Sequence, residues 1–184
     1  MDSYLDIQVL PDPEFGEDTL MAALVAKLHR ALGARGKGDI GISLPEHGVK
    51  PGARLRLHGT AAALQALEES NWRKGLRDYC TCTGIAAVPA VTRWRTVSRA
   101  QAKSSPQRLL RRSVKKGWIT QQEADQRVRD MRPQTLSLPY LNLTSLSTRQ
   151  PFRLFILHGE LQATPVAGTF SSYGLSPTAT IPWF

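Results

Sequence analysis

Four histidines occur in the chain, and one of them, His29, falls near the end of a strongly periodic helical segment, at the border of its apolar face. An imidazole there can sit over a sheet with a titration range suited to proton transfer. A helix C-terminus also favours a protonated histidine for structural reasons alone, so position by itself does not separate a general base from a packed residue. His58, on a strand, and His158, beside Gly159, are weaker candidates. Ser145 and Ser147, in Leu143-Thr144-Ser145-Leu146-Ser147-Thr148, alternate onto one face if that stretch is extended and belong to a polar loop if it is not. Cys80 and Cys82 are one residue apart, too close for an unstrained bridge and too few for a structural zinc site, so reduced thiols are expected. Gly33-Ala34-Arg35-Gly36-Lys37-Gly38 is not a phosphate-binding loop: it follows a helix, precedes a strand and lacks a Ser or Thr after the lysine.

A second group of residues could bind rather than react. Arg93, Arg95, Arg99, Lys103, Arg108, Arg111, Arg112, Lys115 and Lys116 lie in a stretch without one Asp or Glu, and together they equal the formal net charge of +9. The other 15 basic residues are balanced by 15 acidic ones. So local a positive field points to a polyanionic partner. Arg108, Arg111, Arg112 and Lys115 fall at i, i+3, i+4 and i+7, on one face of a helix, with Leu109, Leu110 and Val114 off it. Such a helix can contact phosphates along a groove and offer Arg forks to guanine edges, in DNA or in RNA. A solvated charged face is the alternative. Arg99 and Gln101, just before it, are residue types that contact guanine and adenine edges in a bidentate manner, or else part of a charged linker.

These side chains need a scaffold. The chain has 184 residues, 41% of them hydrophobic, enough for one substantial core. No apolar run approaches the roughly 20 residues that span a bilayer, and the basic segment has no bulky apolar face for a membrane surface. The N-terminus shows no basic segment followed by an apolar one, so a soluble, non-secreted, cytoplasmic protein without membrane contact is expected. Tyr4 to Leu10 reads as a strand, Asp18 to Leu32 as a helix closed by Gly33, and Ile40 to Leu44 and Arg54 to His58 as a half-buried antiparallel pair. Thr60 starts a second helix, and Ile85 to Val91 suits a fourth strand. The order βαββαβ predicts an α+β protein with a ferredoxin-like (RRM-like) N-terminal domain over residues 1–92. Residues 93–184 form a second, diverged α/β half. Its Arg/Lys-rich helix covers about 105–117, from Ser105-Pro106 to Gly117. A short helix with a Thr120/Glu123 capping box follows, then strands at Leu136–Leu143, Phe152–His158 and Leu161–Val166, and a Gly/Ser-containing tail.

Several motifs taken together resemble one family. Tyr4-Leu5-Asp6-Ile7, Pro11-Asp12-Pro13-Glu14-Phe15, Lys27-Leu28-His29, Val97-Ser98-Arg99 with Gln101-Ala102-Lys103-Ser104, the basic helix, Phe152-Arg153-Leu154-Phe155-Ile156, Tyr173-Gly174-Leu175-Ser176 and Pro182-Trp183-Phe184 are similar to the CRISPR repeat-processing endoribonucleases of type I-F systems, the Csy-type branch. The resemblance runs essentially end to end. It implies cleavage of precursor RNA at the 3′ base of the repeat hairpin without metal or other cofactor, leaving a 2′,3′-cyclic phosphate and a 5′-hydroxyl. It implies also that the protein stays on the guide RNA beside the other subunits of a surveillance complex.

On the family pattern, His29 helps remove the 2′-hydroxyl proton, Ser145 holds that hydroxyl and the backbone in line, and Ser147 and Tyr173 support them, Tyr173 by orienting the imidazole. Arg99 and Gln101 read bases near the foot of the hairpin. Lys103, Arg108, Arg111, Arg112, Lys115 and Lys116 serve RNA binding, and Phe152 stacks on a terminal base or pair. Lys115 and Lys116 stand where the pattern is richer in Arg, which keeps charge but loses the bidentate fork, and Gly117 replaces a polar residue. A non-catalytic hairpin-binding subunit is the alternative reading, and a DNA-binding protein a third.

Overall fold

Leu5, Ile7 and Val9 alternate with Tyr4, Asp6 and Gln8, which gives β1 (Ser3–Val9) one fully buried apolar face. The computed structural model describes residues 1–90, 93–101, 106–130 and 136–184. Against β1 pack α1 (Glu17–Arg35), burying Leu20, Met21, Leu24, Val25, Leu28 and Leu32, and α2 (Ala61–Glu69), burying Ala63, Leu64 and Leu67. The Thr60 hydroxyl caps α2 by accepting the Ala63 N–H at 3.2 Å. β2 (Gly41–Ser43) and β3 (Arg54–Gly59) complete the expected antiparallel pair, and β4 (Cys80–Cys82) and β5 (Ala86–Ala87) both pair with β1. The sheet order β2-β3-β1-β4 is that of a ferredoxin-like βαββαβ unit.

Four details differ from expectation. Gly33 lies inside α1, and the left-handed residue that closes it is Gly36, φ 63°. β3 is buried on both faces: Arg56 is 7% exposed and His58 0%. The reason is local neutralisation and cover, since Asp6 accepts two bonds from the Arg56 guanidinium at 2.6 and 2.8 Å while the Tyr4 and Phe184 rings, edge to face with each other, both lie against it. The single strand expected at Ile85–Val91 is two short pieces, β4 lying earlier and β5 covering only two residues, with residues 91 and 92 outside those described. Leu161–Val166 contributes one bridge, Gln162 to Trp94, rather than a strand.

The second sheet is built from β6 (Arg93–Ala100), β7 (Tyr140–Thr144), β8 (Pro151–His158) and β9 (Ser176–Trp183), all antiparallel in the order β7-β8-β6-β9. β6 begins the basic stretch, and β9 occupies the expected tail. Both sheets belong to one compact unit, residues 1–100 and 138–184. Val97, Leu141, Leu154, Ile156 and Ile181 join the apolar cluster of the first sheet and α1. Residues 101–137 form a second unit. In it α3 (Pro106–Lys115) packs on α4 (Gln121–Asp130), with Leu110 and Ala124 buried. Thr120 and Glu123 form the capping box: the Thr120 N–H donates to the Glu123 carboxylate at 2.7 Å, and the Glu123 N–H donates to the Thr120 hydroxyl at 3.2 Å.

Candidate active site

Leu28 and Leu32, both buried, fix the rotation of α1 and carry His29 to the edge of its apolar face. α1 also packs along β7, whose end leads into the loop that bears the two serines. Tyr173 reaches the imidazole from the segment before β9, and the rings stack with centroids 3.8 Å apart and planes 4° from parallel. Gly174 makes that approach possible. Its φ is +70°, and a Cβ there would meet Ile42 Cγ2 at 2.6 Å. The Ile42 N–H donates to the Gly174 carbonyl at 2.9 Å, which pins the turn to β2.

The β7–β8 hairpin closes through the Ser145 N–H, which donates to the Gln150 carbonyl at 2.9 Å. The Arg149 N–H donates back to the Ser145 carbonyl, also at 2.9 Å, with Arg149 left-handed at φ 56°. Ser145 and Ser147 are therefore turn residues rather than alternating strand residues. The turn still brings their hydroxyls together at 3.2 Å. Ser145 Oγ in addition accepts the Thr148 N–H at 3.3 Å, which orients it.

His29, Tyr173, Ser145, Ser147, Arg99 and Phe152 line one open cavity of about 520 Å³. Arg99, from the last turn of register of β6 opposite Ile156, sits with its guanidinium 5.7 Å from the Phe152 ring centroid. Arg30, Thr148 and Gln150 line it too, and among the described residues no carboxylate does. Sequence reasoning passed over these three, although adjacency to His29 and to the serines was a signal for each. The lining thus combines the cations Arg30 and Arg99 with the hydroxyls of Ser145, Ser147 and Thr148, a setting for a phosphate diester rather than for a cation.

Two features define its acid–base state. His29 Nδ1 is buried and finds no hydrogen-bond partner among the described residues, so the ring is held by its stack and not by a carboxylate on its far nitrogen. Burial pushes the Tyr173 phenol above its ordinary range, against a smaller opposing pull from Arg99, so the hydroxyl stays neutral near neutral pH. Among the described residues no group of three or more His, Cys, Asp or Glu is placed to hold a metal ion.

In the helical unit, Arg111, Arg112, Lys115 and Lys116 are exposed on α3 and its end, while Val114 and Leu110 turn toward α4. Gln101 is exposed directly after β6. Lys103 and the side chain of Arg108 lie outside the described residues.

Residues 4–184 match the family model described as CRISPR-associated protein (Cas_Csy4). The chain is 65% identical over 184 residues, the whole of both proteins, to a protein of Escherichia coli (strain UTI89 / UPEC) named CRISPR-associated endonuclease Cas6/Csy4. It is 47% identical, again end to end, to the protein of the same name from Pseudomonas aeruginosa (strain UCBPP-PA14). A match of this extent, together with a ferredoxin-like sheet and a separate basic helix, leaves one conclusion: the chain belongs to the Csy4 family of CRISPR-associated proteins.

Proposed function

We propose that this protein is an endoribonuclease that cuts CRISPR precursor RNA at the 3′ base of each repeat hairpin and keeps hold of the product. The observation that carries the reading is the single cavity shared by His29, Tyr173, Ser145, Ser147, Arg99 and Phe152. In the proposed step the substrate's own 2′-hydroxyl attacks the adjacent phosphorus. The 2′-O–P bond forms, the P–O5′ bond breaks, and the ends are a 2′,3′-cyclic phosphate and a 5′-hydroxyl. His29 accepts the 2′-hydroxyl proton through Nε2, the nitrogen not enclosed by protein, and a proton from imidazolium or water completes the 5′-hydroxyl. Ser145, oriented by the Thr148 N–H, holds the attacking hydroxyl in line, with Ser147 bonded to it.

Arg99 reads a base near the foot of the hairpin, and the Phe152 ring beside it stacks on a terminal base or pair. Arg111, Arg112, Lys115 and Lys116 supply the electrostatic grip on the stem, with Gln101 reading a base. An internal nucleophile and one histidine base make a metal unnecessary to this route. Membership of the family supports two further parts of the reading, retention of the product and assembly with the other subunits of a cytoplasmic type I-F surveillance complex.

The test uses the repeat hairpin in excess EDTA, beside the same RNA with a single 2′-deoxy at the scissile nucleotide. Cleavage of the first and intact, tight binding of the second is the expected result. Binding of both with cleavage of neither would make the protein a structural hairpin-binding subunit.

A further inference from the structure

α3 ends in a turn that presents a tryptophan to solvent. The Gly117 N–H donates to the Val114 carbonyl at 2.9 Å and the Trp118 N–H to the Ser113 carbonyl at 3.0 Å, with Gly117 at φ +70°, the paired bonds of a Schellman cap. In such a cap the residue at the Trp118 position commonly packs on an apolar side chain one turn back, but the chain has Ser113 and Arg112 there. Trp118 is 70% exposed, whereas Trp72 is buried and Trp94 and Trp183 are half-buried. Lys116 holds its ammonium 4.5 Å from the Trp118 ring centroid. The Thr120 capping box fixes the chain two residues further on.

We infer that Trp118, with Lys116 over its ring, is a stacking platform for an unpaired base of the bound hairpin RNA. The inference rests on the proposed function and extends it to a residue outside the cavity. The backbone on both sides of Trp118 is already fixed, so stacking costs little ordering. The neighbouring Arg111, Arg112, Lys115 and Lys116 are exposed, and no acidic residue lies between Arg93 and Lys116, which selects a ligand that combines negative charge with flat aromatic faces. Paired bases within a stem are covered on both faces by their neighbours. An unpaired nucleotide, in the hairpin loop or its flank, is the one with a face to offer.

The experiment compares full-length wild type, Trp118→Phe and Trp118→Ala on two RNAs: the repeat hairpin, and the same hairpin with every unpaired nucleotide made abasic. Trp118→Ala is expected to weaken binding of the native hairpin by about 5- to 150-fold, Trp118→Phe to keep most of the affinity, and all three to bind the abasic hairpin alike. The cleavage rate at saturating RNA stays that of wild type. Equal binding of the native hairpin by wild type and Trp118→Ala, or an equal loss on both RNAs, overturns the platform. A wild-type protein that fails to bind the native hairpin at all overturns the proposed function instead.

Discussion

His29 and Tyr173 lie ring on ring, 3.8 Å between centroids, and with His29 Nδ1 lacking a hydrogen-bond partner among the described residues it is this stack that orients the imidazole. A face-to-face partner fixes the plane of the imidazole without deciding which nitrogen carries the proton. The ring, not the phenol, performs this service. Tyr173→Phe should therefore cleave at close to the wild-type rate, and Tyr173→Ala should lose roughly 10- to 100-fold in single-turnover rate with hairpin affinity kept. A Phe variant as slow as the Ala variant would transfer the role to the hydroxyl.

Removal of the proposed base is the more severe change. His29→Ala should lower the single-turnover rate by about 10²- to 10⁴-fold and leave hairpin affinity nearly intact. Filter binding beside cleavage on the same preparation decides it, and a loss of affinity in proportion to the rate counts against the assignment.

Arg112, exposed on α3, is expected to contact phosphate. Arg112→Ala should weaken hairpin binding and reduce the slope of log affinity against log salt by about 0.7 to 0.9. Titrations at several salt concentrations check this; an unchanged slope means that the side chain does not pair with phosphate.

Gly174 couples fold to chemistry. Gly174→Ala places a Cβ at positive φ and against Ile42, so it should destabilise the protein by roughly 1 to 3 kcal/mol and slow cleavage beyond any loss of folded protein. Urea unfolding gives the first quantity and the rate per folded molecule gives the second. A stable, fully active variant would show that Tyr173 does not depend on this turn.

Stability should fall in acid. Burial holds His58 down to about 3, aided by Arg56, and its Nε2 lies 2.8 Å from Ser43 Oγ. Burial also holds His158 down to about 3, with His47 and Arg95 adding to it. Below the ordinary value of 6.5 the unfolded chain binds protons that the folded one refuses, so stability present above that value is lost as pH falls toward 3. His58, the fully buried one, contributes a slope of up to about 1.4 kcal/mol per pH unit. Urea unfolding of His58→Gln from neutral to acid pH should show a shallower slope than wild type; identical slopes would remove His58 from the account.

Local rules made much of this fold legible. Period 3.6 located α1 and Thr60 opened α2. Pro106, Gly117 and the Thr120/Glu123 pair bounded the two helices of the smaller unit. What escaped depends on contacts distant in sequence. Arg56 reads as a solvent residue until Asp6 and Phe184 enclose it. β9 carries Pro177 and Pro182, which speak against a strand, yet it pairs along β6 on one side only, where an edge strand tolerates proline. β6 was hidden inside a run of charge that reads as linker. Gly33 and Gly36 are equally good stops on paper, and the left-handed φ of 63° that makes Gly36 the stop is invisible there. At the site, the residue names came from family resemblance, whereas the parallel rings of His29 and Tyr173 and the meeting of the Ser145 and Ser147 hydroxyls in a turn are matters of tertiary geometry.

β6 runs between β8 and β9, hydrogen-bonded on both sides, and ends by delivering Arg99 to the cavity. At Arg99 the backbone is held by β8 alone, opposite Ile156, because the pairing with β9 ends at Val97. On the proposed function, an RNA that satisfies the exposed cations of α3 but brings no matching base to Arg99 would be retained uncut. Selection would then fall at the cutting step as well as in how tightly an RNA is held.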